Sequence, residues 1–169
     1  MKPNFFVFCE GETEMEYVRF LRSIYRVPIQ VIPRKSKSNI SISEIDHIKK
    51  DYVETSQDQV FLMFDLDVDT ILEHLQMIPD AVLLVSNPCI ELWFLLHFQD
   101  QKSSISSDKC IQKLMKVSPE YKKGEVSHRE KVLFSQKVNM AVERAKRLNE
   151  YENPSTTVYR LIEKLDQFG

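Results

Sequence analysis

Acidic side chains are concentrated at two points of this 169-residue sequence, and each point follows a short apolar run. Glu10 lies just past the run 5–8, and Asp65 and Asp67 lie just past the run 60–64. If both runs are parallel strands, their carboxyl ends share the sheet edge at which open α/β folds bind ligands. Asp65 and Asp67 would point to the same side of an extended segment, because side chains alternate with a period of two. The two acidic groups are therefore predicted to converge.

A few carboxylate oxygens, with room left for water and phosphate, are the ligands that Mg²⁺ or Mn²⁺ requires. The sequence thus predicts a site for Mg²⁺ or Mn²⁺ built from Glu10, Asp65 and Asp67. The alternative is that acids in these segments cap the helices that follow, since the helix dipole favours negative charge in a first turn. This alternative applies above all to the neighbouring Glu12, Glu16 and Asp69.

Glu91 and His97 lie in the most apolar stretch of the chain, 90–98, which has the pattern of a buried helix. An acid flanked by so much apolar surface is costly to bury unpaired, so Glu91 should reach the strand-end cleft or meet a cation. A helix-dipole interaction without any ligand explains Glu91 equally well. His97 is more simply a packed side chain than a metal ligand.

Basic side chains dominate the last third of the chain. Residues 1–100 hold 9 basic and 16 acidic side chains, and residues 101–169 hold 14 basic and 9 acidic, so a nearly neutral total conceals net charges of −7 and +5. Lys122, Lys123, His128 and Arg129 are the candidates for contacts to nucleic-acid phosphates. A solvated basic loop is the alternative explanation for these four residues.

Other classes of chemistry and location have no support in the sequence. It contains no GxSxG, P-loop or dinucleotide-binding glycine motif. Its three cysteines show no CxxC spacing, which predicts reduced thiols. The first apolar run is too short for a signal peptide, and the longest apolar stretch is far short of the ~20 residues that a membrane span needs. We therefore expect a cytoplasmic protein without a membrane segment.

The elements that must position these residues follow from the hydrophobic pattern. Through the first 100 residues, short β-rich runs alternate with helical patterns, which is typical of βαβ units and a parallel sheet. Strands are predicted at 5–8, 27–32, 60–64 and 81–85, with 27–32 at an edge because prolines flank its core. The expected fold is α/β, with about four mainly parallel strands sandwiched by helices.

The last third has a different character. Residues 101–169 are polar, basic and helix-patterned, and are predicted to form a helical extension packed on a core of residues 1–100 as one compact domain. A long helix is expected after the loop 119–127. Pro154 is predicted to occupy the first turn of the final helix.

Four runs of the sequence resemble the landmarks of RloB-like proteins. They are CEGETE at 9–14 with Tyr17 and Phe20 after it, FDLD at 64–67, SNPCIELWFLLH at 86–97, and NPST at 153–156. The resemblance implies a Toprim-like domain in a bacterial protein. It also implies a link to restriction genes, an ATPase partner, and a role in defence against phage as a nuclease.

The same resemblance implies roles for individual residues. Glu10 corresponds to the Toprim-type glutamate, Asp65 and Asp67 to the metal-binding aspartates, and Glu14 and Glu91 to ligands of a second metal. Leu66 stands where such proteins frequently have arginine, which would remove one phosphate contact.

The expected function is a divalent-metal-dependent nuclease acting on DNA or RNA. The alternatives are a non-catalytic defence component that binds nucleic acid or an ATPase partner, and a primase-like nucleotidyl transferase. The sequence is compatible with a homo-oligomer.

Overall fold

The computed structural model describes residues 1–34 and 39–168. Its elements in chain order are β1 (Phe5–Cys9), α1 (Glu12–Ile24), β2 (Ile29–Pro33), α2 (Ile42–Lys49), β3 (Gln59–Asp65), α3 (Ile71–Gln76), β4 (Ala81–Asn87), α4 (Glu91–Leu96), α5 (Ser107–Val117), α6 (His128–Lys146), β5 (Ser155–Thr156) and α7 (Tyr159–Phe168). None of the described helices is long and apolar enough to cross a membrane.

The strands form one sheet in the order β2-β1-β3-β4-β5. The first four strands are parallel, with Phe5 opposite Ile29 on β2 and opposite Gln59 on β3. The short β5 runs antiparallel to β4. The prediction of an α/β fold with a mainly parallel sheet between helices is confirmed, and β2 lies at the edge of the sheet as expected.

Side chains alternate between two hydrophobic cores, one on each face of the sheet, because successive residues of a strand point to opposite faces. On β1, Phe5 and Val7 enter a large core that also takes in apolar residues of α1 and α4 to α7. Phe6 and Phe8 enter a smaller core covered by α2 and α3. The continuous apolar runs of the central strands reflect this burial on both faces.

The helices that carry candidate site residues are fixed to one another through the larger core. Trp93 of α4 is fully buried, and its indole Nε1–H donates a hydrogen bond of 2.8 Å to the hydroxyl of Tyr17 on α1. Phe94 stacks on Phe134 of α6 with ring centroids 5.0 Å apart. These contacts hold the first turns of α1 and α4, with Glu14 and Glu91, at one end of the sheet.

The C-terminal third contains a strand that the sequence did not predict. Ser155 and Thr156 pair with β4, and the last helix begins only at Tyr159, so the expectation that Pro154 starts that helix was wrong. The hydroxyl of Thr157 helps to hold this segment, since it accepts from the Val85 N–H at 2.9 Å. A two-residue strand is too short to produce a hydrophobic pattern.

Candidate metal centre and its cleft

Three carboxylates converge where β1 and β3 end. Glu10 follows β1, Asp65 is the last residue of β3, and Glu14 lies in the first turn of α1. One oxygen of each lies within 4.8 Å of an oxygen of the other two. Parallel neighbours of matched register bring Glu10 and Asp65 to the same edge, as the sequence predicted.

Backbone hydrogen bonds orient the two carboxylates that come from strand ends. The N–H of Asp65 donates to Oε2 of Glu10 at 2.8 Å, which ties the end of β3 to the residue after β1. The N–H of Ile90 donates to Oδ1 of Asp65 at 3.0 Å. Each carboxylate keeps a second oxygen for another ligand.

Glu14 reaches the cluster because Gly11 leaves room for it. A Cβ at Gly11 would lie 3.2 Å from Oε2 of Glu14, closer than an unstrained contact. The glycine between Glu10 and Glu12 therefore has a packing role at the site. Glu14 itself is only 6% exposed, so its carboxylate is directed into the cleft rather than into solvent.

Burial raises the pKa of all three carboxyl groups, because removal from water disfavours their charged form. The pKa of Asp65 is raised to about 9 and that of Glu14 to about 7. Desolvation is the largest cause in both, and the neighbouring carboxylates add to it. At Glu10, the hydrogen bond from Asp65 and the nearby Arg34 lower the pKa again, without offsetting the burial. The negative charge that the cluster would carry exceeds the positive charge of the nearby cationic side chains.

Glu91 lies at the same cleft and is held by a tyrosine that sequence reasoning missed. It is 2% exposed, and the hydroxyl of Tyr121 donates to its Oε2 at 2.6 Å. The connection between α5 and α6 is also fixed to α1, since the N–H of Gly124 donates to Oγ1 of Thr13 at 2.9 Å. Gly124 has a φ of 80°, a conformation that favours glycine. The connection thus forms one wall of the site.

We expect Tyr121→Phe to lower the free energy of unfolding by about 1–3 kcal/mol, because a buried acceptor then loses its donor. Urea denaturation measures the loss. Tyr52→Phe is the matched control, since Tyr52 is 37% exposed, and we expect a change below about 0.5 kcal/mol. Equal stability of Tyr121→Phe and the unmutated protein would contradict the importance of the bond to Glu91.

An open cleft of about 550 Å³ contains the cluster. Its walls are formed by Glu10, Gly11, Glu12, Thr13, Glu14, Asp65, Ile90, Glu91, Lys123, Gly124 and Glu125. Six of these residues are acidic and one is basic, so phosphate would be repelled from a cleft without bound cations.

Asp67, which was predicted to share the site, is exposed and lies outside these walls. It is near enough for its charge to raise the pKa of Glu10 and Asp65. Arg19 forms ion pairs with Glu12, at 3.1 Å, and with Glu16, as expected for acids on a solvated helix face. Asp69 is also exposed.

The four predicted phosphate-binding residues are exposed, but they are not equivalent. Lys123 lines the cleft, whereas Lys122, His128 and Arg129 do not. Nε of Arg129 lies 3.9 Å from Oε1 of Glu120. His97, by contrast, is buried against the rings of Trp93 and Phe134, away from the cleft walls. Lys123 is thus the best placed of the four to meet a ligand of the carboxylates.

Arg34 is a second site residue that sequence reasoning missed. It follows β2, and its Nη1 lies 3.9 Å from Oε1 of Glu10. The signal that identified Glu10 and Asp65, a position just past a strand, would also have identified Arg34. Tyr121 had no such signal, because its contact with Glu91 joins segments 30 residues apart.

Comparison with known proteins identifies a family. Neither a curated protein nor a solved structure matches the chain. The family model for RloB-like proteins matches residues 5–165, which is nearly the whole chain and includes all the residues of the carboxylate cluster. The chain therefore belongs to the RloB-like protein family.

Proposed function

We propose that this protein is a divalent-metal-dependent nuclease that hydrolyses phosphodiester bonds in bacterial defence against phage. The convergence of Glu10, Glu14 and Asp65 at the end of a parallel sheet carries the proposal. Family membership supports the link to defence.

The donor set fits Mg²⁺ or Mn²⁺. Oxygens of Glu10, Glu14 and Asp65 lie within 4.8 Å of one another, so these three residues would hold one ion between them. Hard carboxylate oxygens are the ligands that these ions prefer. Their raised pKa values support the proposal, because a cation would offset the repulsion between these carboxylates.

The residues around the cluster would support hydrolysis of a phosphodiester. A bound Mg²⁺ or Mn²⁺ would lower the pKa of water and offset negative charge on the phosphate. Glu10, Glu14 and Asp65 would hold the ion, and the backbone bonds to Glu10 and Asp65 would keep two of these ligands oriented. Lys123 would pair with a phosphate oxygen from the cleft wall. Glu91 adds a fourth carboxylate at the cleft, and Asp67 stays a predicted ligand.

The test is cleavage of single-stranded DNA, duplex DNA and transfer RNA with Mg²⁺, with Mn²⁺, and with EDTA. We expect cleavage only with metal, and at least about 100-fold slower cleavage by Glu10→Gln, because several kcal/mol of transition-state stabilisation depend on the ion. Glu143→Gln is the control, since Glu143 is exposed on α6. Cleavage that persists in EDTA, or that Glu10→Gln leaves unchanged, would contradict the proposal.

The alternative function is a non-catalytic defence component that binds nucleic acid or an ATPase partner. The observation that favours it is the position of Lys122, His128 and Arg129 outside the cleft, where they are available to a partner that does not enter it. Calorimetry with Mn²⁺ separates the two functions, since the nuclease requires metal binding and this alternative does not.

A further inference from the structure

Arg34 is held beside the carboxylate cluster by the sheet itself. It follows Pro33, which lies opposite Cys9 in the parallel pairing of β2 with β1. Its backbone N–H donates to the carbonyl of Cys9 at 3.0 Å, which continues the pairing past the end of the strand. Because Glu10 follows Cys9, the guanidinium of Arg34 lies next to one of the three converging carboxylates. Backbone pairing therefore determines this position.

The contact between Arg34 and Glu10 is an ion pair that is readily exchanged. The 3.9 Å from Nη1 to Oε1 exceeds the length of a hydrogen bond, and both side chains are partly exposed, at 28% and 20%. Pairs of this kind contribute little to stability. The other oxygen of Glu10 already accepts from the Asp65 N–H at 2.8 Å. A cation bound to Glu10 would thus compete with Arg34 for the same carboxylate.

We propose that Arg34 binds a phosphate of the nucleic-acid substrate, exchanging Glu10 for that phosphate when a divalent cation occupies the carboxylates. This inference rests on the proposed nuclease function. The planar guanidinium presents several donors in a fork that matches two phosphate oxygens. Lys123 lines the cleft on the connection between α5 and α6, and Arg34 lies outside its walls beside Glu10, so two cations from separate segments would contact the phosphodiester. Arg34 would also supply a cation near the site, where this chain has Leu66 in place of the arginine that is frequent in similar proteins.

Two measurements that need no turnover test this role. The first is the affinity of a fluorescently labelled single-stranded DNA, and of an RNA of the same length, in excess Ca²⁺. The second is the affinity for Mn²⁺ alone, measured by calorimetry. The variants are Arg34→Ala and Arg34→Lys. The matched control is Arg26→Ala, because Arg26 is exposed and precedes β2, at the opposite end of the same strand.

We expect Arg34→Ala to weaken oligonucleotide binding by about 10- to 100-fold, as for a lost charge-assisted hydrogen bond. The slope of log affinity against log salt should fall by about one phosphate contact. Arg34→Lys should bind with intermediate affinity, since it keeps the charge and loses the fork. Mn²⁺ affinity should stay equal or increase, because a competing cation is gone. Arg26→Ala should match the unmutated protein.

Two results would overturn the role of Arg34. One is equal oligonucleotide affinity of Arg34→Ala and the unmutated protein, including no binding by either. The other is a loss of Mn²⁺ affinity in Arg34→Ala, which would show that the arginine only supports the carboxylates. Failure of the nuclease function is recognised separately, by an unmutated protein that binds no Mn²⁺ or cleaves no substrate.

Discussion

Asp65→Asn should lose metal-dependent cleavage by at least about 100- to 1,000-fold, whereas Asp67→Asn should lose less than about tenfold. Asp65 lies inside the carboxylate cluster, and Asp67 is exposed outside the cleft walls. The two aspartates form a symmetrical DxD pair in sequence, so this difference is a prediction of the structure alone. Cleavage with saturating Mg²⁺ or Mn²⁺, measured for both single variants, tests it.

The stability of Asp65→Asn shows whether a loss of activity is caused by misfolding. An asparagine keeps an oxygen to accept from the Ile90 N–H, and it removes a carboxyl group that must take up a proton when the protein folds, because its pKa is raised to about 9. In EDTA at about pH 8 we expect the variant to be more stable than the unmutated protein by roughly 1–3 kcal/mol. Urea denaturation provides the value. If Asp65→Asn is inactive and also less stable, its loss of activity is explained by misfolding. Equal losses of cleavage in Asp65→Asn and Asp67→Asn would contradict the assignment of Asp65 to the metal site.

The second large effect is a dependence of stability on pH that a divalent cation should reverse. The pKa values of Asp65 and Glu14 are raised in the folded protein, to about 9 and about 7. Between the ordinary carboxyl range near pH 4 and about pH 9, the folded state therefore holds more protons than the unfolded chain. Because proton binding is linked to folding, the metal-free protein becomes less stable as the pH rises through this window. The contribution of the cluster to this loss is roughly 2–4 kcal/mol, less than about 1.4 kcal/mol per unit of raised pKa would give, because solvent in the open cleft screens these charges.

Mg²⁺ should replace those protons, so its stabilising effect should grow with pH. Urea denaturation at about pH 5, 7 and 9, in EDTA and in excess Mg²⁺, measures the difference between the two series. Glu14→Gln should reduce the pH dependence in EDTA, and the exposed control Glu143→Gln should leave it unchanged. A stabilisation by Mg²⁺ that is constant across this range would show that the ion does not bind the buried carboxylates.

Strands β1, β3 and β4 were predictable because each of them leaves a strong local signal. A strand buried on both faces is a continuous apolar run, and β1, β3 and β4 all fit this pattern. The helix α6 begins with the capping box of Ser127 and Glu130, which is also local. The two-residue β5 had no such signal, because its pairing depends on a β4 edge some 70 residues earlier in the chain.

Half of the site was predictable for a similar reason. Glu10 and Asp65 each follow a recognisable strand, and parallel strands end at one edge of the sheet, so their convergence follows from topology. Whether Asp67 joined them depended on how the chain leaves β3. The inclusion of Glu14 depended on the tight approach of α1 over Gly11. Neither property is encoded by spacing alone.

The sequence by itself determined the α/β class, the strand ends that present Glu10 and Asp65, and the concentration of acid at those ends. These features follow from hydrophobic periodicity and from the order of neighbouring elements. Only the tertiary structure decided that Glu14 lies within 4.8 Å of Glu10 and Asp65, that Tyr121 holds Glu91, and that Arg34 lies against Glu10. Each of these contacts depends on how separate segments pack against one another, and packing places side chains by shape and burial rather than by their distance along the chain.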